Sequence, residues 1–552
     1  MVSRLVGHET PTVTNRPARL AIAAAALLAG TVGAAIAIDA PGTAAAGPPS
    51  DRAAQSRPNV IVVMTDDQSV GELSRRTMPH TIEALRDHGT TFSNSIVSSP
   101  LCCPSRAGLL SGQYPHNNGV YDNEPGYSSL NHKRSTLYSW LQAAGYRTGH
   151  IGRWLLNYHR PAAPGDPDTG DGFAPPPGID HWFGFRGPSA AYYGAAFSRN
   201  GTPVTLSERP SGYITRAINR EALDFVRAAK SDPRPFFLNV AQIAPHSANE
   251  IRPGPCGIGG LPIPERGGFK PWRSEPLPRP PSFDESRIGD KPDWVQQRSP
   301  IGRDRRKGLE LGWRCALATL PTVDRGVGRL IDRLAAQGEL DETAIFFTSD
   351  NGYLFGQHRI FLNKVYPYEE SIRVPLLARL PGQPRQPAHV GVPVNNLDLT
   401  ATILDLARAA PCTASGDCRI LDGRSLLPLL RGRHPGWGRG RALLIQLGSV
   451  RDCGTPTTQI GGLNTFYDAV RTRRHLYVEL DHLDRETGVC DRPEYELYDL
   501  RRDPFQLRNR ATYVPKRPPR PRQAGLAARL NSLRDCAGIA GRDPATARPF
   551  CE

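Results

Sequence analysis

Apolar positions follow two kinds of pattern along this chain, and the pattern changes near residue 410. Before that point short unbroken runs dominate. Asn59-Val60-Ile61-Val62-Val63-Met64 is continuous, apolar and β-branched, which predicts a strand buried on both faces of a parallel sheet. It ends abruptly in Thr65-Asp66-Asp67-Gln68. Pro235-Phe236-Phe237-Leu238-Asn239-Val240 repeats the pattern and delivers Ala244-Pro245-His246. Thr343-Ala344-Ile345-Phe346-Phe347-Thr348 repeats it again and ends in Ser349-Asp350-Asn351-Gly352. Tyr146 to Trp154 reads as a further strand and its exit. Between these runs the pattern predicts helices over 78–92, from Cys102, over 136–145 and over 212–230. Another is marked by Val323, Val327, Leu330, Ile331 and Leu334 at helical spacing. Residues 160–210, rich in Gly, Pro and aromatics, read as loops. The proline- and charge-rich stretch 251–300 reads as a long loop of the kind that commonly rims a site.

Strand–acid, strand–His and strand–acid, with helices between, predict an α/β fold. Its sheet is doubly wound, mostly parallel and flanked by helices, and it occupies residues 58–410. Sheets of this kind place ligands at the C-terminal ends of their strands, where these acids stand. Asp66 and Asp67 taken alone fit a turn or helix cap equally well. After residue 410, Leu443 to Leu447, Phe466 to Val470 and Glu496 to Leu500 are short and alternating. They predict an antiparallel sheet in a smaller C-terminal α+β domain over 420–552.

Composition narrows the setting. The 552 residues carry a formal net charge of +15, which favours acidic partners: sulfated or phosphorylated molecules, polyanionic glycans, nucleic acid or membrane surfaces. No nucleic-acid-binding motif accompanies the charge, so nucleic acid is not an expected partner. Lys516-Arg517-Pro518-Pro519-Arg520-Pro521-Arg522 reads as a solvated basic loop. Arg4, Arg16 and Arg19 precede an apolar run from Leu20 to Ile38, with Ala44-Ala45-Ala46 as a small-residue cleavage site. Residues 1–46 therefore read as an export signal, long enough to anchor the chain in a bilayer if left uncleaved. The expected mature protein is soluble, secreted or extracytoplasmic, with no stable membrane association once the signal is removed. Cysteine usage agrees with export and suggests disulfides more than metal ligands, since no Cys-x-x-Cys pair occurs. By loop length, Cys412 pairs with Cys418, Cys453 with Cys490 and Cys536 with Cys551, which leaves Cys256 for Cys315.

Cys102 and Cys103 stand apart from that set, in Leu101-Cys102-Cys103-Pro104-Ser105-Arg106-Ala107-Gly108-Leu109-Leu110-Ser111-Gly112. Pro104 suits a first helical turn and Gly112 a helix exit. The free N–H groups of that turn, with Arg106, make a seat for an oxyanion. The bland reading is a capped helix holding a buried thiol. The whole run resembles the signature of the sulfatase family, and the resemblance extends from Pro58 to around Asn509. Tyr368 to Pro375, Asp422 to Leu426 and Leu497 to Pro504 share it. The segment running on through Gly112-Gln113-Tyr114-Pro115-His116-Asn117 looks especially like the N-acetylglucosamine-6-sulfatase branch, with arylsulfatases near by.

The resemblance implies an alkaline-phosphatase-like sheet and hydrolysis of sulfate esters, with inorganic sulfate released. The substrate would be a small sulfated molecule or a sulfated glycan, such as N-acetylglucosamine 6-sulfate, or an aryl sulfate. It implies that Cys102 is converted by a formylglycine-generating enzyme to formylglycine, whose hydrated aldehyde attacks sulfur. It also implies one Ca2+ under that group, held by Asp66, Asp67, Asp350 and Asn351 with the side chain at position 102. Carboxylate and amide oxygens suit such a hard cation. Arg106, His246 and Lys364 match the family's cationic side chains, with His246 or Lys364 as proton donor to the leaving oxygen. One departure stands out. Many members have Gly-Lys-Trp-x-His or Gly-Lys-Tyr-Leu-Asn, whereas this chain has Gly152-Arg153-Trp154-Leu155-Leu156-Asn157. Arg153 is expected to replace the lysine, gripping two sulfate oxygens where lysine offers a point charge. The alternatives are a phosphonate monoester or phosphodiester hydrolase of the same superfamily, and a catalytically dead glycan-binding protein.

Overall fold

The computed structural model describes residues 57–158, 173–187, 191–382, 386–432, 436–448, 465–482, 493–512 and 519–552. The export signal, the Cys453–Cys490 pairing and the first half of the basic loop lie outside them. Twelve strands precede residue 410: β1 (Asn59–Thr65), β2 (Thr90–Phe92), β3 (Ser95–Ile96), β4 (Arg147–Gly152), β5 (His181–Arg186), β6 (Ala196–Arg199), β7 (Thr202–Thr205), β8 (Phe236–Ala241), β9 (Thr343–Ser349), β10 (Leu376–Arg379), β11 (His389–Val390) and β12 (Val394–Asn395). Ten of them form one sheet in the order β11-β2-β10-β9-β1-β8-β4-β5-β6-β7. The five central strands, β9 through β5, are all parallel, and the antiparallel pairings lie toward the edges.

Strand β1 shows why its sequence is an unbroken apolar run. Successive side chains point to opposite faces, and both faces are buried. Val60, Val62 and Met64 join one core, while Ile61 and Val63 join another. Five helices flank the sheet: α1 (Cys102–Ser111), α2 (Leu137–Ala143), α3 (Ile214–Ala229), α4 (Arg303–Gln337) and α5 (Asn396–Ala407). Leu109 and Leu110 of α1, Leu141 of α2 and Ile403 of α5 fill the first core; Phe225 of α3 and Val323, Val327 and Leu330 of α4 fill the second.

The second sheet comprises β13 (Ala442–Leu447), β14 (Thr465–Thr472), β15 (His475–His482) and β16 (Glu494–Asp499), antiparallel and in chain order, followed by helix α6 (Pro521–Arg534). Its alternation also serves two faces. Leu443, Ile445 and Leu447 pack with Tyr366, Tyr368 and Ile372, whereas Leu444, Val470 and Tyr477 pack with Leu530 and Leu533 of α6.

Three local expectations are corrected and one helix is extended. The helix predicted over 78–92 stops at Asp87, and Thr90–Phe92 is strand β2. A Cβ on Gly89 would lie 2.3 Å from the Ala378 carbonyl oxygen, so the chain there runs against β10. Residues 181–205 hold β5 to β7 rather than loop, because Trp182, Phe183 and Phe197 face the cores despite their glycine-rich setting. Helix α4 begins at Arg303, well before its apolar stripe, because its first turns are exposed and charged. At the far end, Pro521 and Arg522 of the basic loop already belong to α6. Disulfides join Cys256–Cys315, Cys412–Cys418 and Cys536–Cys551, as the loop lengths predict; Cys102 and Cys103 are free.

Candidate active site

Parallel pairing in register brings the strand-end motifs together. Thr65 of β1 lies opposite Ser349 of β9, so Asp66-Asp67 and Asp350-Asn351 leave the sheet side by side. The Asp350 amide donates to the Thr65 carbonyl (3.1 Å), and the Asp67 amide donates to Asp350 Oδ1 (3.2 Å). The Asn351 side chain donates to Asp67 Oδ1 (2.7 Å). Asp67 itself sits at φ 71°, a left-handed conformation costly for a residue with a Cβ. That turn directs its carboxylate back across the strand ends. β8, paired to β1 on the other side, delivers His246; β4, the next strand, delivers Arg153.

Helix α1 brings the remaining groups. Cys102 is its first residue, 2% exposed, and Arg106 follows one turn later on the same face. The Cys102 sulfur lies 3.5 Å from Asp66 Oδ1 and 2.9 Å from Lys364 Nζ, and that ammonium also binds Asp67. Arg106 grips Asp350 Oδ2 through Nε (2.9 Å) and through a terminal nitrogen (2.8 Å), and lies 3.2 Å from Asp66 Oδ2. Arg153 Nε lies 3.3 Å from the same Asp66 oxygen. His246 Nε2 stands 3.8 Å from Asp67 Oδ2, while its Nδ1 faces the Ser247 carbonyl at 2.6 Å. A carbonyl only accepts, so Nδ1 carries a hydrogen and Nε2 faces the cluster.

All the residues singled out in the sequence converge here: Asp66, Asp67, Cys102, Arg106, Arg153, His246, Asp350, Asn351 and Lys364. Three carboxylates and three permanent cations share one buried space. Burial opposes the charge on Asp66, yet His246, Arg106, Arg153 and Lys364 hold its carboxyl below the ordinary value. Burial and the Asp66 charge push Asp350 up to about 7 and drive the Cys102 thiol upward. Burial lowers His246; it also opposes the charge on Lys364, but Asp67 more than compensates.

Unpaired buried atoms show what this arrangement can hold. Asp66 Oδ2 and Asn351 Oδ1 are buried without a hydrogen-bond donor among the described residues. Ligand atoms of Asp66, Asp67, Cys102 and His246 lie within 4.8 Å of one another. Two of those atoms are a sulfur and an imidazole nitrogen; the oxygens of Asp66 and Asp67, with Asp350 and Asn351 beside them, are the donors that suit a hard divalent cation. On the donor side, the Arg106 terminal nitrogen and Arg153 Nε meet carboxylates only as ion pairs, and a terminal nitrogen of Arg153 is buried without an acceptor among the described residues. Such groups are costly unless an anion meets them. The site can therefore take a cation and an oxyanion together.

Two supporting residues carry no motif in the sequence. His150 accepts from the Tyr138 hydroxyl (2.7 Å) and donates from Nε2 to the Arg153 carbonyl (3.1 Å), which Arg106 also binds (3.2 Å). Burial holds the His150 imidazole down at about 3, so it acts as a neutral brace. Asn123 accepts from the Cys103 amide (2.9 Å) at the start of α1. Only the position of His150 on a strand adjoining the Arg153 turn hinted at such a part.

Comparison with known proteins agrees with this geometry. The sulfatase family profile matches residues 58–409. The N-acetylglucosamine-6-sulfatase of Homo sapiens is 32% identical over 534 residues, covering 89% of this chain and 87% of that one. A solved structure described as a complex with its substrate D-glucosamine-2-N,6-O-disulfate aligns with a TM-score of 0.64 at 24% identity, over 86% of this chain and 97% of that one. The phosphonate monoester hydrolase of Agrobacterium radiobacter aligns at 0.59 and 20% identity, over 87% and 95%. At these identities the two structures speak to the fold. The sequence match, joined to the strand-end cluster, makes the assignment: the chain belongs to the sulfatase family and is a sulfuric ester hydrolase.

Proposed function

We propose that this chain hydrolyses sulfate esters of sugars, with a 6-sulfated glucosamine or N-acetylglucosamine unit as the reacting group. The observation that carries the reading is the free Cys102 at the head of α1. It lies between Lys364 and Asp66, in a cluster where an Arg153 terminal nitrogen is buried without an acceptor. Two groups would complete the site: a Ca2+ held by Asp66, Asp67, Asp350 and Asn351 to draw charge from the ester oxygens, and a formylglycine at position 102 to supply a hydrated aldehyde as nucleophile.

The chain's own residues do the rest. Arg106 and Arg153 present guanidinium N–H groups to the sulfate oxygens on which negative charge grows, in a buried setting where such contacts are strong. Lys364 adds a point charge next to position 102. His246, with its Nδ1 hydrogen committed to the Ser247 carbonyl, turns Nε2 to the cluster and would donate to the leaving oxygen once that nitrogen is protonated; Lys364 is the alternative donor. His150 and Tyr138 fix the Arg153 turn from behind. We assign residues 420–552 to a smaller C-terminal domain.

The disulfides, the charged N-terminal segment and its apolar run support an exported enzyme, matured by a formylglycine-generating enzyme. Among the described residues no helix is long and apolar enough to cross a membrane. The deciding experiment measures sulfate release from N-acetylglucosamine 6-sulfate and an aryl sulfate. Matched phosphate and phosphonate esters are run in parallel, and the Cys102 peptide is analysed by mass. Faster turnover of the sulfates with an aldehyde at position 102 is expected. Preference for the phosphorus esters, or an active enzyme with an intact thiol, overturns the reading.

A further inference from the structure

A second basic feature lies along the same edge of the large sheet, on the far side of β9. Strand β10 runs antiparallel to β9 and to β2, so the C-terminal end of β2 stands at the edge that carries Asp350. Ser93 and Asn94 leave β2 there, Gly391 leaves β11, and Arg373 enters β10. Together with the β14–β15 turn and the chain after β16 they line a cleft of about 1420 Å³. That volume exceeds the roughly 300–1,000 Å³ of pockets that hold one small ligand. Tyr353 and Phe355, just beyond Asn351, line this cleft and also a small cavity shared with Asp67. The cleft therefore borders the catalytic cluster.

Its lining is strongly cationic. Six arginines, Arg279, Arg373, Arg471, Arg473, Arg474 and Arg501, face two acids, Glu369 and Glu370. Three of the six are engaged: Arg471 with Glu369 (2.7 Å), Arg474 with Asp499 (2.6 Å) and Arg279 with Glu310 (3.0 Å). Arg373 stands 3.8 Å from Glu369, and its Nε is buried without a hydrogen-bond acceptor. Arg473 and Arg501 are exposed and make no ion pair among the described residues. Phe505, an exposed aromatic ring, sits among them. Guanidinium forks match the oxygens of sulfate groups, and aromatic faces take the C–H face of a sugar ring. Alternating anions and rings along an extended chain would use both.

We propose that this cleft is a second binding site, beyond the catalytic cluster, for a sulfated polysaccharide chain, and that it holds segments of a polymer whose reacting sulfate lies at position 102. The choice of sulfate as the anion rests on the function proposed above. Arg473 and Arg501 are the contacts that distinguish polymer from small ester, since neither touches the catalytic cluster.

The test uses the full chain and an Arg473→Ser/Arg501→Ser double variant, with Arg473→Glu as a charge-reversed companion. Heparin is the binding probe, an aryl sulfate the small substrate and duplex DNA the control polyanion. The variants should melt at the same temperature as the parent and turn over the aryl sulfate unchanged. They should leave a heparin column at lower salt, with the slope of log affinity against log salt falling by about one per arginine removed. The KM for a heparin-derived oligosaccharide should rise about tenfold with kcat kept. Unchanged heparin elution and unchanged KM overturn the proposal. So does a loss confined to DNA, which would assign the cleft to nucleic acid. Arginine-dependent heparin binding in a chain that releases no sulfate from any ester would leave the cleft assignment standing and remove the catalytic reading.

Discussion

Two buried polar clusters in this molecule set carboxylates against cations, and they differ in how the cations are used. The strand-end cluster gathers Asp66, Asp67 and Asp350 with Arg106, Arg153 and Lys364. The other lies where the long loop meets the second sheet. There Lys291 Nζ donates to the Tyr498 hydroxyl (3.2 Å) and stands 3.6 Å from Glu285. His358 Nδ1 lies 2.8 Å from the other Glu285 oxygen, and the hydroxyls of Tyr368 and Tyr498 both donate to Glu496. In the first cluster cations equal carboxylates: Asp66 stays charged against full burial, while Asp350 beside it is pushed up to about 7 by burial and the Asp66 charge. In the second one lysine serves two glutamates, and burial pushes both Glu285 and Glu496 up to about 7. Burial alone does not set the charge state; the supply of cations and neutral donors does. Both clusters leave buried carboxylate oxygens without a donor, but the first also leaves Arg153 nitrogens without a hydrogen-bond acceptor, so it can meet an anion. In the second the Lys291 ammonium is taken up by the Tyr498 hydroxyl and the Gln506 carbonyl, and the cluster serves as a joint between elements.

Four perturbations separate the two clusters, taken in descending order of effect. Cys102→Ala should abolish turnover, a loss of about 10⁴-fold or more on the scale of a removed nucleophile. Cys103→Ser should keep most activity, because Cys103 receives only the Leu156 amide (3.1 Å). Steady-state kinetics on an aryl sulfate checks both, and the reverse result would shift the nucleophile by one position. Next comes the metal. Chelation should lower activity and melting temperature together, and calcium should restore both; full activity in metal-free protein would count against the cation.

Arg153→Ala should lose roughly 2–4 kcal/mol of transition-state stabilisation, the scale for one donor of a preorganised oxyanion site, read as kcat/KM. Arg153→Lys should recover part of it. Near-parental kinetics for the alanine variant would place this side chain outside the chemistry. The smallest effect belongs to the joint. Glu496 has its folded-state value raised from an ordinary 4.5 to about 7, chiefly by burial, with Lys291, Tyr498 and Tyr368 opposing and Glu494 adding to the rise. Its stabilising contribution is therefore complete below pH 4.5 and is lost as pH climbs through 7. Thermal unfolding from pH 4.5 to 8 should show a fall of about 1–3 kcal/mol from this group. Glu496→Gln should flatten that fall, and an unchanged slope would mean that Glu496 is ionised throughout.

The same contrast governs what the sequence disclosed. Asp66, Asp67, Asp350 and Asn351 were legible because a doubly buried strand is an unmistakable apolar run, and the residues that end it stand at the ligand-binding edge. Arg106 and Cys102 were legible through a contiguous motif. The joint was not, because Glu285, Lys291, His358 and Glu496 come from loops and a second sheet and meet only in three dimensions. Strand β15 escaped for a local reason: Arg473 and Arg474 place two charges at its tight turn, and its alternation then merges with that of β14. The start of α4 escaped because exposed turns carry no apolar period.

The burial of Cys102 also fixes an order of events. Its sulfur is closed in by α1, β1 and the Lys364 loop, and only 2% of the residue reaches solvent. An enzyme that rewrites this side chain would have to reach it before the fold closes over the sulfur. On the proposed reading, conversion precedes folding. Protein that has already folded with a thiol at position 102 is then a finished but inert product, out of reach of later rescue. The yield of active enzyme is set by a race between the modifying enzyme and the collapse of the sheet, so hosts that delay folding of the nascent chain should deliver more of it.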